Sequence, residues 1–387
     1  LSIVGREDRC LAAPLAPEDG RGQVDGVERP QRRRERVGGP TEHGGGHVHA
    51  VHAFQEPQHQ PAAIREVLPD AKDMFNRVRH VPSIVDLDVR FRMMDMFDEY
   101  AQVICLSGPP VENFCTPKQA AELAKIANDE QAALVSKYPD RFLGFIACLP
   151  MNDIDAAVAE AKRAIDQLGA VGLQIYTNIN GRPVYTKETE PLFDLMAEYD
   201  LPIWMHPIRG PEMADYIDEK KSLYEIWWTF GWPYETSVAM AHFVFGGLFD
   251  KHPNIKIITH HMGGMVPYFE GRVGPGWDQL GTRTTDEDYF PIVRNMKSKG
   301  KRPVDYFKNF YADTAMFGAF EGTKTGLKFF GVDHCLYASD MPFDPEKGTA
   351  YIRWTNEIVD RLDLSPFERH AIFEGNARKL LKLDRNK

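Results

Sequence analysis

Three short apolar runs of the sequence end in side chains that could do metal chemistry. One run ends in His206, another in His260 followed by His261, and a third is followed by Asp340. Imidazole and carboxylate groups bind divalent transition metals, and a catalytic site keeps one coordination position open. A single strand-end histidine is more often hydrogen-bonded structure, and an aspartate after a strand usually caps a helix. The three together predict a metal site.

The runs that carry these groups belong to a regular series. Their near-continuous hydrophobicity is typical of parallel strands covered on both faces, and amphipathic segments lie between them. With an eighth strand early in the chain, the series predicts an α/β fold of the (β/α)₈ TIM-barrel type, whose functional groups lie at the carboxyl ends of the strands. A doubly wound open sheet is the alternative, but no glycine-rich phosphate motif follows a strand. The seven runs are 102–107, 142–150, 170–176, 201–206, 255–260, 309–315 and 335–339.

Two segments between the runs show how the helices are delimited. Segment 152–169 places its apolar residues on one helical stripe and ends at a glycine. In segment 116–140, Thr116 is a plausible N-cap, and Pro117 occupies the first helical position.

Composition changes sharply near residue 62. The stretch 29–61 is rich in Arg, Gly, Pro, His and Gln and shows no apolar period of two or 3.6 residues. This composition is typical of low-order chain, and a solvated tail explains its arginines better than an anion-binding arm does. The sequence therefore predicts a low-order or atypical N-terminal segment, 1–62, before a barrel domain, 63–387.

The overall charge and the cysteines restrict the partners and the compartment. The 387 residues carry a formal net charge of −10, which argues against nucleic acid or anionic membrane as the main partner. No apolar run approaches the roughly 18–20 residues of a membrane span, and the first residues lack the pattern of a signal peptide. The five cysteines are scattered and form no C-x-x-C motif. A cytoplasmic protein is predicted.

Four motifs in this order resemble a known family. They are the strand-end His-Pro at 206–207, P-x-E-T at 233–236, H-x-G-G-x-x-P at 261–267 and S-D-x-P-F at 339–343. The segment from Asp86 to Leu381 resembles the metal-dependent decarboxylase branch of the amidohydrolase superfamily, which includes γ-resorcylate and aminocarboxymuconate-semialdehyde decarboxylases.

The resemblance implies one catalytic divalent metal, usually Zn²⁺ and in some members Mn²⁺, and a homodimer or higher homo-oligomer. It implies that His206 and Asp340 are metal ligands. His261 matches the histidine of the H-x-G-G-x-x-P motif, which acts near the metal as an acid/base, whereas His260 does not match and is predicted to support the site from behind. Arg272 matches an arginine that binds the substrate carboxylate, in some relatives across a dimer interface.

The first ligand motif of the family is the least regular here. Relatives begin with an apolar strand that ends in H-x-H or in a variant with the first histidine replaced. His47 and His49 have this spacing and are predicted metal ligands, while His49 with His52 is a frame-shifted rival. The residues before them, 40–46, do not read as a strand. A histidine-rich loop without a metal is the alternative.

The predicted reaction is non-oxidative decarboxylation of an aromatic or unsaturated carboxylic acid. The metal acts as a Lewis acid, and His261 or Asp340 protonates the carbon that carries the carboxylate. A metal-dependent hydrolase or hydratase and a non-catalytic, ligand-binding barrel are the alternatives.

Three further residues are candidates for the same site. Trp228 is a candidate for shaping the substrate pocket, although packing explains it equally well. Arg79 is a candidate anchor for a carboxylate, against an ordinary salt bridge. Asp313, which ends its run, is a candidate for orienting a ligand, against hydrogen bonding to a loop.

Overall fold

The computed structural model describes residues 80–284 and 286–383, together with the backbone of two short strands, Ser2–Ile3 and His49–His52. Eight strands of the described chain pair in parallel, in chain order. They are β1 (His49–His52), β2 (Ala101–Cys105), β3 (Phe142–Ile146), β4 (Leu173–Tyr176), β5 (Pro202–His206), β6 (Lys256–Thr259), β7 (Tyr311–Asp313) and β8 (Cys335–Leu336).

The pairing order is that of a (β/α)₈ barrel. β1 pairs with β2 and β2 with β3, a single parallel bridge from Ala147 to Leu173 connects β3 to β4, and β4 to β8 follow as consecutive neighbours. The seven predicted runs each overlap one of these strands, and β1 is the missing eighth. The predicted barrel is confirmed, while the predicted boundary near residue 62 stays a prediction, with β1 lying before it.

Helices follow most strands. Thr116 caps the longest one through a reciprocal capping box with Gln119, as its sequence predicts. No helix in 80–284 or 286–383 combines the length and apolar character that a membrane crossing requires. The α-helices of the described residues are α1 (Leu87–Met94), α2 (Pro117–Lys137), α3 (Ile154–Asp166), α4 (Glu190–Tyr199), α5 (Ile226–Thr229), α6 (Gly231–Phe245), α7 (Leu248–Lys251), α8 (Glu270–Asp278), α9 (Phe290–Ser298), α10 (Pro303–Tyr306), α11 (Phe320–Phe330), α12 (Ala350–Arg361), α13 (Pro366–His370) and α14 (Asn376–Leu381).

The buried core has an inner and an outer layer because successive strand residues face opposite sides. The outer layer packs strand residues such as Ile203 and Ile257 against the helices. The inner cluster takes residues of the other parity from the strands, and α14 packs against them. Its strand members are Val103, Cys105, Ile146, Trp204, Ile258 and Leu336. Since His206 and His260 lie two residues beyond Trp204 and Ile258, the polar groups continue the inner face at the carboxyl ends.

Candidate active site

Three imidazole rings converge at the carboxyl ends of β5 and β6. The ring of His206 lies 4.8 Å from that of His260 and 6.1 Å from that of His261, measured between centroids, and the latter two rings are 5.9 Å apart. All three residues are buried. The structure thus brings both adjacent histidines to His206, although an extended strand would point them to opposite sides.

Asp340 joins this cluster from the loop after β8. Its Oδ2 lies 3.7 Å from Nε2 of His261. The backbone of Asp340 is left-handed, with φ of 59°. His206, His261 and Asp340, predicted for the centre of the site, therefore lie together with His260, predicted to support it; the three histidines are buried and Asp340 is half-buried.

The protonation of His206 follows from its neighbour. Its Nδ1 lies 2.6 Å from the carbonyl oxygen of Pro207. Because a carbonyl oxygen only accepts hydrogen bonds, Nδ1 carries the proton, and in the neutral ring the lone pair is on Nε2. A carbonyl that accepts from one ring nitrogen and so fixes the tautomer is typical of metal-binding histidines.

Asp313, at the end of β7, holds the main chain at the two histidines. Its Oδ1 accepts hydrogen bonds from the backbone N–H groups of His261 (2.9 Å) and Ala315 (3.1 Å). Its Oδ2 lies 3.4 Å from Nδ1 of His260. The carboxylate, only 1% exposed, therefore contacts both histidines from behind.

The backbone after β6 turns sharply. His261, Met262, Gly263 and Gly264 have φ values of 54°, 53°, 74° and 63°. For the two non-glycine residues, this left-handed conformation is unfavourable by about 1–3 kcal/mol each, so the surrounding contacts must hold it. The turn redirects His261 toward the side of the barrel that carries His206.

The two glycines of the H-x-G-G-x-x-P motif are required by space as well as by backbone angle. A Cβ on Gly263 would lie 2.6 Å from the ring of Phe330 on α11. A Cβ on Gly264 would lie 2.5 Å from the carbonyl oxygen of Pro233 on α6. The motif therefore indicates a turn that packs between two helices, and this turn positions His261.

Burial and neighbouring charges act on the pKa values of the site. Burial by itself lowers the pKa of His261, but the carboxylates of Asp340 and Asp313 outweigh it, so the pKa lies above its usual value. Burial raises the pKa of Asp313, opposed by the charge of His261 and by the two N–H groups that Asp313 accepts. The arrangement favours the imidazolium form of His261, which can donate a proton.

The described residues supply only part of a metal-ligand set. Within 80–284 and 286–383, no three His, Cys, Asp or Glu side chains lie close enough together to hold a metal ion. The imidazole and carboxylate groups of His206 and Asp340 are nevertheless of the type that a divalent metal takes, so the donors fit while the set stays incomplete.

The predicted N-terminal ligands fall outside the part whose side chains the structure describes. His47 lies outside the described residues, and for His49 only the backbone of β1 is given. In the register of β1 against β2, His49 is aligned with Gln102 and His52 with Cys105, so His52 stands at the carboxyl end. The register thus brings the frame-shifted rival, His52, to the end of the barrel where ligands lie.

The aromatic residue beside His206 is Trp232 rather than Trp228. The ring of Trp232 lies 5.3 Å from that of His206. Trp228 packs edge-on against Trp232 at 6.3 Å, donates from Nε1 to Glu225 and is 37% exposed. Trp228 therefore lies one layer farther from the histidines, and its role in substrate binding stays a prediction.

Of the two predicted arginines, the structure describes only Arg272, which lies outside the buried cluster. Arg272 is exposed on α8. Arg79 lies outside the described residues. Carboxylate binding by either stays a prediction.

Sequence reasoning missed two aromatic neighbours of the histidines. Tyr176 ends β4, and its ring lies 5.6 Å from that of His206; the strand-end rule that found His206 would have found it. Phe317, with φ of 51°, places its ring 5.2 Å from that of His261. It lies in an irregular loop, where no sequence pattern marks it.

Known proteins resemble this chain over most of its length. A family model described as Amidohydrolase matches residues 41–383. γ-Resorcylate decarboxylase of Polaromonas sp. strain JS666 is 33% identical over 314 residues, which cover 77% of this chain and 88% of the relative. The enzyme of the same name from Rhizobium radiobacter is 31% identical over 345 residues, covering 83% and 96%.

A solved structure agrees with these sequence similarities. The dihydroxybenzoic acid decarboxylase of Polaromonas sp. JS666, with bound manganese and the inhibitor 2-nitroresorcinol, is 26% identical, covers 87% of this chain and 97% of its own and has a TM-score of 0.68. The predicted family resemblance and barrel are confirmed, and the relatives named above are decarboxylases, as the sequence predicts.

Proposed function

Because the chain belongs to the amidohydrolase family, we propose that it is a metal-dependent, non-oxidative decarboxylase of an aromatic or unsaturated carboxylic acid. The observation that carries this proposal is the convergence of the buried His206 and His261 with Asp340 at the carboxyl ends of the strands. The decarboxylases to which the chain is similar support the reaction class.

His206 and Asp340 would hold the metal, together with a histidine of the β1 region. There we propose His47 and His49 from the motif spacing and His52 from the strand register. When bound, the metal supplies Lewis acidity. The manganese in the Polaromonas structure supports a divalent ion and Mn²⁺ in particular. Zn²⁺ is proposed from the family resemblance alone.

His261 is the proposed proton donor. Protonation of the substrate carbon next to the carboxylate breaks the aromatic or conjugated system. The bond to the carboxylate then breaks, its electron pair restores the π system, and CO₂ leaves. The contact of Asp313 with the His261 main chain holds the imidazole in place for this transfer.

Arg272 is proposed to bind the substrate carboxylate, since its planar guanidinium can donate two parallel hydrogen bonds. Its exposed position on α8 suits a role at a homodimer interface, which we also propose. Cys105, Cys115, Cys148 and Cys335 form no disulfide among themselves, in keeping with the proposed cytoplasmic location.

The test is CO₂ release from a panel of aromatic and muconate-type acids by the protein loaded with Mn²⁺ or Zn²⁺, with metal content measured in parallel. Wild type should release CO₂, and His206→Ala and Asp340→Ala should lose both metal and activity. Consumption of substrate without CO₂ would identify a hydrolase or hydratase instead. A folded protein that binds an acid but neither metal would leave only the ligand-binding barrel.

A further inference from the structure

A small pocket lies at the barrel mouth, on the side away from β6 and next to the Tyr176 ring that contacts His206. It is formed at the carboxyl ends of β2, β3 and β4 and has room for about one water-sized group. Its wall is mostly apolar, with Leu106 and Leu149 among the lining residues. Three polar side chains line it: Glu112, Gln174 and Tyr176.

Two acceptor groups of this pocket are buried and incompletely hydrogen-bonded within the described chain. Glu112 is 4% exposed, and in 80–284 and 286–383 no side chain pairs with its carboxylate oxygens, which are near only the backbone N–H groups of Glu112 and Met151. Oε1 of Gln174, which is 5% exposed, has no hydrogen-bond partner in these residues. Buried polar atoms without partners are unfavourable by about 1–3 kcal/mol each, so their retention points to a group that binds there.

The pocket is held in a fixed shape by its outer contacts. Asn180 donates to the main-chain carbonyl of Glu112 (3.1 Å). Nε2 of Gln174 donates to the carbonyl of Leu106 (3.1 Å) and to the hydroxyl of Tyr176 (2.8 Å). Because the oxygen of Tyr176 accepts from Gln174, the O–H of Tyr176 remains to donate. The pocket therefore offers acceptors from Glu112 and Gln174 and a donor from Tyr176.

The pocket adjoins the candidate active site through a shared residue. The ring of Tyr176 packs edge-on against that of His206 at 5.6 Å, while its hydroxyl lies on the pocket side with Gln174. Tyr176 is thus the residue that the candidate active site and the pocket have in common.

We propose that Glu112, Gln174 and Tyr176 form a subsite that recognises a hydroxyl group on the substrate. The inference rests on the proposed function, since it assumes an acid bound near His206. A hydroxyl both donates and accepts, so it can donate to Glu112 or Gln174 and accept from Tyr176. A second carboxylate on the substrate is disfavoured there because the mostly apolar wall would solvate its charge poorly. The free space in the pocket is the size of one water or hydroxyl group.

The test compares acids that differ by one hydroxyl. The panel is 2-hydroxybenzoate and the 2,3-, 2,4-, 2,5- and 2,6-dihydroxybenzoates, with metal-loaded full-length protein. Wild type should prefer one dihydroxy isomer to 2-hydroxybenzoate in kcat/KM. In Glu112→Leu that ratio should fall roughly 10- to 100-fold, because the hydroxyl loses its acceptor. Glu112→Gln keeps one acceptor oxygen and should lie between. Glu122→Gln, an exposed glutamate on α2, is the matched control and should keep the ratio.

Two results overturn the subsite. One is a wild type without preference for any dihydroxy isomer; the other is an unchanged ratio in Glu112→Leu, which would mean that the pocket holds only a structural water. If Glu112→Leu does not fold, Glu112→Gln provides the comparison. Calorimetric Kd values for the same acids give a second readout. Failure of the proposed reaction would appear as absence of CO₂ from every acid, and the Kd ratios would still decide the subsite.

Discussion

The two sides of the barrel mouth treat buried polar groups in opposite ways. On the side of β5 to β8, carboxylates lie next to imidazoles: Asp340 beside His261, and Asp313 beside both adjacent histidines. On the side of β2 to β4, the carboxyl of Glu112 lies among apolar walls with no such partner in the described chain. The first side, called the charged side below, is arranged to stabilise charge, as metal and proton chemistry require. The second, called the neutral side, is arranged to recognise a neutral hydroxyl.

Removing a ligand from the charged side should have the largest effect. We expect His206→Ala to lower kcat/KM by roughly 10³-fold or more, because it removes a group that would hold the metal. His370→Ala, at an exposed histidine on α13, is the control and should retain wild-type activity. Steady-state CO₂ release with metal analysis measures both. Full activity in His206→Ala would remove the functional distinction between the two sides.

The turn that shapes the charged side is the next target. Gly264→Ala should lower the free energy of unfolding by about 3–4 kcal/mol, because its Cβ would meet a backbone oxygen at 2.5 Å at a φ of 63°. A Cβ added to Gly271 on α8 would meet no atom within 4 Å. The control Gly271→Ala should therefore be neutral or stabilising by up to about 1 kcal/mol. Denaturant titrations of both variants measure the difference, and equal stabilities would show that the turn tolerates a side chain.

On the neutral side, the ionisation of Glu112 should make the free energy of unfolding depend on pH. Burial raises the pKa of Glu112 from its ordinary 4.5 to about 7, and backbone N–H groups offset this only in part. Ionisation of a carboxyl with a raised folded pKa destabilises the fold, so this loss begins above pH 4.5 and is complete above pH 7. Glu112→Gln should therefore be more stable than wild type by about 3 kcal/mol at pH 8, with a gain that shrinks toward pH 4.5.

The neighbours of Glu112 allow this pH effect to be isolated. Burial raises the pKa values of Cys115, Cys148 and Tyr176, so all three stay neutral across the interval from pH 4.5 to 7. Unfolding free energies measured at several pH values for Glu112→Gln and the exposed control Glu122→Gln test the prediction. A Glu112→Gln gain that does not change with pH would show that Glu112 keeps its ordinary pKa.

The smallest effect is expected at Trp228, which packs against Trp232. Trp228→Ala should change KM by about threefold or less, because Trp228 is partly exposed and reaches His206 only through Trp232. Trp232→Ala should have the larger effect on KM. Initial-rate kinetics on one substrate decide the order, and a larger effect of Trp228→Ala would support its predicted role in direct substrate binding.

The sequence predicts the charged side well for physical reasons. The strands are buried on both faces, so their apolar runs are easily recognised, and the residue that ends a run must lie at the barrel mouth. That reasoning locates His206, His260, His261, Asp313 and Asp340.

The neutral side leaves almost no such signal. Glu112 lies in a one-turn helix between β2 and α2, where neither period nor composition separates a buried carboxyl from an exposed one. Trp228 and Trp232 differ only by one helical turn in the sequence, so only three-dimensional packing shows which one touches His206. β1 is preceded by residues without strand character, and its pairing with β2, rather than its own pattern, defines it.

The left-handed turn at His261 has a consequence for how this site can change over evolution. Two consecutive residues of a regular strand diverge, yet here both His260 and His261 lie near the ring of His206. Neighbouring positions thus serve one centre, with His261 at a φ of 54° marking the change of direction. A point substitution at either histidine alters one function at a time. A one-residue insertion before the pair would shift both histidines and both glycines together, so the geometry of the turn depends on the register of β6.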